Sequence, residues 1–443
     1  MKTKLFFLLL VVFLNTQINA QCWSKISATR GQTIAIKTDG TLWTWGANDQ
    51  GQLGDGTNID KNVPTQIGSE SNWIKIATGN YYSFAIKVNG TLWAWGRNDM
   101  GQLGDGTFVS KNTPIQIGTA TNWKEISAGE GSHANAIKTN GTLWAWGNGP
   151  LGDGNSMGSN IPIQIGTATN WKDISVGASF SIAIKTDGTL WQWGQSINPP
   201  AQINVNNTWV KISAGSDHSL ALKADGTLWA WGKNTRSQLG DGTNIDKNLP
   251  TQIGSASNWE NISAGSYFSV AIKKDGTIWA WGANDWSNLG DGTSIQKNSP
   301  IQIEASINWS QISTGENHTI AMKTDGSIWV WGNNTRGQLG DGTTIPIVAV
   351  PSQISCPVLG LEKTSVNDNT FSIYPNPVKD ILHIQNTTNQ VIEEVVITDL
   401  AGKNILKQKG NNKQMNVQQL QQGMYLLQVF SEGKSSQSKF MKQ

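Results

Sequence analysis

The stretch Ser219–Gly232, SLALKADGTLWAWG, decides the fold of this 443-residue chain. Ser219–Lys223 alternates polar or small residues with leucine, and Thr227–Trp231 alternates with its two tryptophans at every second position; a period of two predicts half-buried strands. Asp225-Gly226 lies between them, and this dipeptide is the strongest short-range signal for a hairpin, because both residues of a two-residue turn need positive φ. The stretch therefore predicts two antiparallel strands joined by a tight turn.

The same unit returns along most of the chain. The pattern W-x-W-G begins at Trp43, Trp93, Trp144, Trp191, Trp229, Trp279 and Trp329, at intervals of 50, 51, 47, 38, 50 and 50 residues. A Trp-led strand and the hairpin precede each copy, and L-G-D-G and P-x-Q-I follow most of them, so each repeat holds about four strands. Such periods are the signature of propeller blades. We therefore expect an all-β fold, a seven-bladed β-propeller over residues 21–356.

The order I-S-A-G, H-S, A-x-K, D-G, W-x-W-G, G-Q-L-G-D-G resembles the regulator of chromosome condensation repeat family, over residues 23–354. The fourth repeat departs from it, because Trp193-Gly194 runs almost directly into Pro199-Pro200 and the L-G-D-G loop is missing. The resemblance implies a propeller with one short blade. It also implies relatives that act through protein contacts, a guanine-nucleotide exchange factor and secreted inhibitors of β-lactamase among them. We do not expect the exchange activity here, because no residue can be matched to the exchange surface.

The N-terminus has the features of an export signal. Lys2 and Lys4 precede the apolar run Leu5–Leu14, which predicts a signal peptide over residues 1–20 and no transmembrane segment. A lipid anchor on Cys22 stays open as the alternative. Without Lys2 and Lys4 the 33 basic residues fall to 31, equal to the 31 acidic ones, so no basic surface is expected for nucleic acid.

The repeats end before the C-terminus. Residues 357–367 read as a linker, and residues 368–443 alternate as short strands that predict a small β-sandwich. Within this part, Tyr374-Pro375-Asn376-Pro377, Gly423-Met424-Tyr425 and Lys439-Phe440 together resemble the sorting domain of type IX secretion. The resemblance implies the type IX secretion machinery as a partner. It places the product outside a Gram-negative cell, secreted or on the surface, after passage through the periplasm and outer membrane.

The chain has two cysteines, Cys22 and Cys356, which lie just before the first repeat and just after the last. Those two points meet in a closed ring, and export provides an oxidising compartment. We therefore predict a disulfide that fastens the ring; two free thiols are the alternative.

The sequence offers few candidates for chemistry. Three of the four histidines occupy one position, five residues before the repeat lysine, which Tyr82, Phe180 and Phe268 fill in other repeats; this favours packing between blades. The aspartates of L-G-D-G are flanked by glycine, which favours capping of a turn over calcium binding, although calcium stays open. No catalytic or metal motif occurs, so we expect neither an enzyme nor a metal or cofactor site.

Two sets of loops differ between repeats and are the candidate recognition sites. One follows the I-S-A-G strand and the other follows W-x-W-G. The candidates are Tyr81, Glu130, Asp217, Tyr267, Glu316 and Asn317 in the first set, and Arg236, Trp286 and Arg336 in the second. Tyrosine, tryptophan and arginine are enriched at binding hot spots; scattered surface residues without a partner are the alternative.

These observations favour a non-enzymatic recognition protein, a secreted or cell-surface monomer that binds an unknown extracellular protein or glycan through its loops. Two alternatives stay open. One is an extracellular glycan-active enzyme that uses Glu130, Asp217 and Glu316, since two carboxylates at a suitable separation can hydrolyse a glycoside. The other is a structural or adhesive surface protein that merely displays the propeller.

Overall fold

A computed structural model of the chain describes residues 22–155, 157–194, 197–204, 208–356, 371–386, 391–398, 404–431 and 434–443. It divides into two compact units, Met1–Pro357 and Val358–Gln443. The predicted signal peptide and linker lie outside the described residues. Within the described part, no helix is long and apolar enough to cross a membrane.

The first unit consists of seven four-stranded antiparallel sheets, each made of four strands that are consecutive in the chain. Blade 1 contains β1 (Trp23–Thr29), β2 (Gln32–Lys37), β3 (Leu42–Gly46) and β4 (Lys61–Gln66); blade 2 contains β5 (Trp73–Thr78), β6 (Tyr82–Lys87), β7 (Leu92–Gly96) and β8 (Lys111–Gln116); blade 3 contains β9 (Trp123–Ala128), β10 (His133–Lys138), β11 (Leu143–Gly147) and β12 (Ser159–Ile165); blade 4 contains β13 (Trp171–Val176), β14 (Phe180–Lys185), β15 (Leu190–Gly194) and β16 (Ile197–Asn204). Blade 5 contains β17 (Trp209–Ala214), β18 (His218–Lys223), β19 (Leu228–Gly232) and β20 (Lys247–Gln252); blade 6 contains β21 (Trp259–Ala264), β22 (Phe268–Lys273), β23 (Ile278–Gly282) and β24 (Lys297–Gln302); blade 7 contains β25 (Trp309–Thr314), β26 (His318–Lys323), β27 (Ile328–Asn333) and β28 (Ile347–Ile354).

The first strand of each blade lies innermost and packs against the first strands of both neighbours. Because β1 contacts β25 as well as β5, the ring is closed. No blade combines strands from the two ends of the repeat region. The predicted disulfide is present, with Cys22 and Cys356 Cα atoms 6.1 Å apart, and it covalently joins the first blade to the last.

The hairpin in each blade is confirmed, but the expected two-residue turn is wrong. In blade 1 the amide of Lys37 donates to the carbonyl of Thr41, and that of Gly40 donates to Lys37, so three residues form the loop. Gly40 has φ +81°, whereas Asp39 is not in the positive region. This is a type I turn followed by a glycine bulge. Its first residues use ordinary backbone angles, and only the glycine is needed at positive φ.

The residue after the turn glycine binds the first tryptophan of W-x-W-G, which lies two residues further along the chain. The Asp39 carboxylate accepts hydrogen bonds from the backbone and hydroxyl of Thr41, and that hydroxyl accepts one from Trp43 Nε1 at 2.9 Å. The same series occurs in all seven blades, with Asn89 and Asn140 in place of the aspartate in blades 2 and 3 and serine as the middle residue in blade 7. It fixes the first tryptophan of W-x-W-G to its own hairpin turn.

The repeat lysine lies between two tryptophans in every blade. Its Nζ is 3.6–4.0 Å from the ring centroid of the first W-x-W-G tryptophan and 4.5–5.6 Å from that of the strand-leading tryptophan. A cation above an aromatic face is stabilised by the ring quadrupole. The invariant lysine therefore serves the fold.

In five of the seven blades the indole N–H of the second W-x-W-G tryptophan donates a hydrogen bond to the preceding blade. Trp95 Nε1 donates to the carbonyl of Gln52 in blade 1, and Trp146 Nε1 donates to that of Gln102 in blade 2. Blade 4 lacks the loop that would supply this carbonyl, and there the side chain of Gln192 accepts from Trp231 Nε1 at 3.2 Å. Blade 4 thus keeps the hydrogen bond to the next blade through a side-chain oxygen instead of a backbone carbonyl.

The second unit is the predicted β-sandwich. One sheet contains β29 (Phe371–Tyr374), β30 (Ile381–Asn386) and β33 (Gln414–Asn416), and the other contains β31 (Glu394–Thr398), β32 (Asn404–Lys409), β34 (Gly423–Ser431) and β35 (Lys434–Lys442). Residues from both sheets, such as Leu382 and Val395, share one buried core. The strands β32, β33 and β35 were not among those that the alternation predicted.

Candidate recognition face and axial channel

Both sets of variable loops lie at the same end of the propeller. In an antiparallel blade the connection between its first and second strands and that between its third and fourth leave from the same edge. Backbone hydrogen bonds join them directly: Arg97 N donates to Tyr81 O at 2.8 Å, and Lys233 N donates to Asp217 O at 2.9 Å. The two candidate sets therefore form one surface, which we call the loop face.

Serine hydroxyls join the inner strands around the propeller axis. A serine on one inner strand accepts a hydrogen bond from a backbone N–H of the next, at 2.9–3.2 Å. These serines are Ser27, Ser127, Ser175, Ser213, Ser263 and Ser313. Blade 2 has Ala77 at this position. We call this series the serine belt; it is interrupted at one of the seven blade contacts.

The belt encloses a cavity of about 230 Å³ on the axis, lined by residues of all seven blades. Its polar lining consists of the hydroxyl groups of the serine belt, those of Thr29, Thr78 and Thr314, and the carboxylate of Glu130. The other lining side chains are small or aliphatic, such as Ala128 and Val176. Glu130 is the only ionisable residue among the lining residues that the structure describes.

Glu130 connects three blades. It follows the inner strand of blade 3, and its two carboxylate oxygens accept hydrogen bonds from Ser216 of blade 5 and Ser266 of blade 6. Burial raises the pKa of this carboxyl group, the serine hydrogen bonds and Arg30 act to lower it, and Glu316 raises it further. Glu316 of blade 7 thus acts electrostatically on Glu130 of blade 3.

Arg30 organises another part of the loops around the open end of the axial cavity, which we call the mouth. Its guanidinium lies 4.7 Å from the ring centroid of Tyr81, donates to Asn80 Oδ1 at 3.2 Å and pairs with Glu316 at 3.6 Å. Arg30 and Tyr81 have positive φ, +44° and +67°, which side-chain-bearing residues seldom adopt. The loops of blades 1, 2 and 7 therefore hold a guanidinium between a carboxylate and an aromatic ring.

The other first-set candidates surround this mouth. Asp217 and Tyr267 directly follow the two serines that bind Glu130, and the Tyr267 side chain is 46% exposed. Asn317 follows Glu316 and accepts a backbone hydrogen bond from Asn333. The structure thus brings the first-set residues together around the axis.

The second-set candidates lie on the third-to-fourth-strand loops, where the two arginines pair with the next blade. Arg236 contacts Asp285 of blade 6, and Arg336 contacts Asp49 and Asp60 of blade 1. These carboxylates hold the pKa of Arg336 above its ordinary value. Both arginines thus link neighbouring blades.

Trp286 lies on the equivalent loop of blade 6 and is partly buried. Blade 6 therefore carries Tyr267 and Trp286 on the same face.

The histidine position is buried between blades, as predicted. His133 Nε2 contacts Ser181 Oγ at 3.1 Å, His218 Nε2 contacts Ser269 Oγ at 2.9 Å, and each serine belongs to the following blade. Burial lowers the pKa to about 4 for His133 and His318 and to about 3 for His218. These imidazoles are neutral at physiological pH.

The L-G-D-G aspartates cap their own turns. Asp55 Oδ1 accepts from the backbone and hydroxyl of Thr57 and from Asn48 Nδ2, while Lys61 lies 3.3 Å from its other oxygen. Asn48 in turn accepts from the amide of Leu53. Across the described ranges, no group of three or more His, Cys, Asp or Glu residues is arranged to hold a metal ion.

One charged group in the channel region was missed from the sequence. Asp173, on the inner strand of blade 4, has a pKa raised to about 6 by burial, assisted by Glu125 of blade 3. Lys75 and Lys211 act in the opposite direction, and Lys75 pairs with Glu125 at 2.8 Å. Glu125, Asp173 and Lys211 occupy equivalent positions in consecutive repeats, two residues before the belt serine. These charged residues at one repeat position were the sequence feature that could have revealed the group.

The sorting-motif residues come together in the second unit. Asn376 Oδ1 accepts the amide of Met441 at 2.9 Å, and Val378 exchanges backbone hydrogen bonds with Met441 and Gln443. Tyr374 stacks on His383, and Pro375 and Pro377 are exposed. Lys439 and the buried Phe440 belong to β35. The two ends of the motif are therefore adjacent in space.

Comparison with family models agrees with this architecture. A model described as the regulator of chromosome condensation (RCC1) repeat matches residues 39–86, 89–134, 140–184, 225–272, 275–322 and 325–366. A second model with that description matches residues 23–52, 73–102, 209–238 and 309–338. A model described as a secretion system C-terminal sorting domain matches residues 372–443. No curated protein matches the sequence at a significant level.

Solved structures show the same fold. Yeast RCC1 (Prp20), in its complex with Kap60, has a TM-score of 0.65 at 18% identity, covering 80% of this chain and 87% of the yeast chain. Human WBSCR16 has a TM-score of 0.64 at 19% identity, covering 71% of this chain and 94% of its own. Prp20p from Saccharomyces cerevisiae, described with its binding to Gsp1p and histones, has a TM-score of 0.64 at 18% identity, covering 79% and 89%. At these identities the likeness concerns the fold alone.

Proposed function

Because the chain belongs to the regulator of chromosome condensation repeat family and carries a type IX secretion sorting domain, we propose that it is a non-enzymatic recognition protein that binds an extracellular protein through its loop face. Its sorting domain indicates export to the cell surface or the extracellular space. The proposal concerns what the exported propeller does there.

The observation that carries the proposal is the contrast between invariant and variable positions. The residues shared by nearly all blades, such as the repeat lysine and the W-x-W-G tryptophans, are used in contacts within and between blades. The first loops differ from blade to blade and gather Tyr81, Glu130, Tyr267 and Glu316 around one mouth. A varied surface on a repetitive scaffold supports specific recognition.

A pull-down from the culture medium with the full exported chain tests this proposal. We expect a saturable partner that the wild type retains and that a Tyr81→Ser, Tyr267→Ser variant loses. The matched control replaces Val88 and Ile307, which are 68% and 67% exposed and lie on connections at the opposite end of the blades. If the control variant loses the partner as readily as the tyrosine variant, the loop face is not the recognition site. The same conclusion follows if the wild type retains no partner.

An extracellular glycan hydrolase is the second candidate, and the electrostatic interaction between Glu130 and Glu316 favours it. A carboxyl group with a raised pKa beside a second carboxylate is the pairing that glycoside hydrolysis uses. Release of reducing sugar from cell-surface glycans by the wild type, abolished in both Glu130→Gln and Glu316→Gln, would establish it. An adhesive display role, by contrast, would show as an attachment defect in a deletion strain without a discrete soluble partner.

A further inference from the structure

The loops around the axial cavity form two unequal parts. The loops of blades 7, 1 and 2 contribute Glu316, Arg30 and Tyr81, which form a carboxylate–guanidinium–aromatic arrangement. The loops of blades 3, 5 and 6 contribute Glu130, Ser216, Ser266 and the following Tyr267. We call these the Arg30 side and the Glu130 side of the mouth.

The Glu130 side has a carboxylate and an exposed tyrosine but no counterpart of Arg30. Among the described residues, no basic side chain lies within salt-bridge distance of Glu130. Its oxygens are bound by two neutral hydroxyls, while Arg30 acts on it only at longer range and Glu316 adds a like charge. Glu130 is partly buried, and a carboxylate removed in part from water is stabilised by a cationic partner.

The adjoining cavity is suited to the end of a basic side chain. Its volume of about 230 Å³ is bordered by hydroxyl oxygens and by Glu130, and none of the lining side chains that the structure describes is basic. A cation at this point would gain the attraction of Glu130 and contact with hydroxyl groups. Tyr267 directly follows Ser266 on the same loop and is 46% exposed, so its ring is accessible to a partner on the loop face.

The Arg30 side of the mouth already binds a guanidinium through a tyrosine and a glutamate. On the Arg30 side, a guanidinium is already held by a tyrosine ring at 4.7 Å and a glutamate at 3.6 Å. The same pair of residue types, tyrosine and glutamate, is present on the Glu130 side without a guanidinium from this chain. The parallel favours a positively charged group supplied by another molecule over a neutral sugar.

We propose that the Glu130 side of the mouth is an anchor site for a basic side chain of the partner protein, an arginine or lysine that inserts toward the axial cavity against Glu130 and Tyr267. This inference rests on the proposed recognition function and specifies the chemistry of the partner. A neutral glycan at the same place would be a different function and is treated below as an outcome that overturns the proposal.

The test uses small probes and the full exported chain. Binding of N-acetyl-arginine amide and N-acetyl-lysine amide is titrated by saturation-transfer NMR, with N-acetyl-citrulline amide as the uncharged analogue of arginine. We expect saturable binding of the arginine probe and at least tenfold weaker binding of citrulline. The variant Glu130→Gln keeps the side-chain shape and removes the charge, and it should weaken arginine binding at least tenfold. Tyr267→Ser should weaken it as well.

The matched control is Glu260→Gln, which removes an exposed carboxylate from the start of the blade 6 inner strand, at the other end of the channel. It should bind arginine like the wild type, and thermal unfolding should show that each variant is folded. Equal binding of arginine and citrulline, or arginine binding unchanged in Glu130→Gln, overturns the proposal. So does binding of neutral monosaccharides that competes with arginine equally well in wild type and Glu130→Gln.

The pull-down separates this proposal from the recognition function on which it rests. A partner that is lost from the Tyr81→Ser, Tyr267→Ser variant but retained by Glu130→Gln leaves the loop face as the recognition site and refutes the anchor. The absence of any partner, together with specific arginine binding, refutes protein recognition in that medium and also refutes the assignment of the Glu130 side to a partner protein, leaving it as a site for a small cationic ligand.

Discussion

A buried histidine at a blade contact makes the ring sensitive to acid. His133, His218 and His318 have pKa values lowered to between about 3 and about 4, from an ordinary value of 6.5. As the pH falls below 6.5 the unfolded chain takes up protons that the folded chain does not, so the stability of the fold decreases. Asp173, whose pKa is raised to about 6, acts in the opposite direction.

The comparison of wild type with His133→Phe isolates one histidine. Phenylalanine occupies the same position in blades 4 and 6, as Phe180 and Phe268. Between pH 7 and pH 4.5 the variant should lose about 2–3 kcal/mol less unfolding free energy than the wild type. Urea denaturation across this range measures the difference. Identical pH slopes for the two proteins would show that His133 does not contribute.

A second residue-level prediction concerns the first glycine of L-G-D-G. Gly104 has φ +76°, and an added Cβ would lie 2.8 Å from the ring of Trp146 in the next blade. Gly118 also has positive φ, +60°, but a Cβ there would have nothing within 4 Å. Gly104→Ala should therefore be destabilising by about 2 kcal/mol more than Gly118→Ala, because only the first adds a steric clash to the backbone strain. Equal urea midpoints would contradict this interpretation of the packing.

At the scale of the element, the inner strands depend on hydrogen bonds to their neighbours. Ala77 is the one position at which the serine belt is interrupted. Ala77→Ser should raise the unfolding free energy by about 1 kcal/mol, because its hydroxyl can accept from the adjacent strand of blade 3. Ser213→Ala should lower it by a similar amount, since the amide of Ala264 loses its partner. Thermal unfolding of both variants checks the pair, and a stabilising Ser213→Ala would refute the role of the belt.

The strands were largely predictable, and their connections less so. Alternation and the repeated Asp-Gly or Asn-Gly predicted the second and third strands of each blade, because these signals are local. The turn type was wrong since Asp-Gly also suits a three-residue loop, in which Asp39 needs no positive φ. The role of Gln192 depends on the absence of the L-G-D-G loop from its own blade, and only the three-dimensional arrangement shows it.

At the scale of the whole molecule, ring closure depends on the disulfide and on packing between blades 1 and 7. Cys22 and Cys356 are separated by 334 residues, and no blade shares strands from both ends. Crosslinks over long loops stabilise by restricting the unfolded chain, so the Cys22→Ser, Cys356→Ser variant should lose about 4 kcal/mol. Guanidinium unfolding with and without reductant measures this, and reductant should have no further effect on the variant. A variant as stable as the oxidised wild type would show that packing alone closes the ring.

The sequence predicted which loops form the candidate site, but it did not predict which side chains of those loops contact one another. Variation between repeats identified the loops with Glu130, Tyr267 and Glu316, and the topology placed both sets on one face. The bonds from Glu130 to Ser216 and Ser266 span 86 and 136 residues and depend on the positions of three blades around an axis. No local pattern carries that information.

The contiguity of each blade also bears on how the protein is made. Contacts within a blade join strands that are near neighbours in sequence, and such contacts form early because they close only short loops. Blades can therefore form in the order of synthesis, with the union of the first and last blades as the final step. Cys22 can form this disulfide only after Cys356, 334 residues further along the chain, has been made. The Cys22 sulfur is therefore a free thiol only in an incomplete ring. A thiol-reactive label that no longer modifies Cys22 would report the completion of assembly.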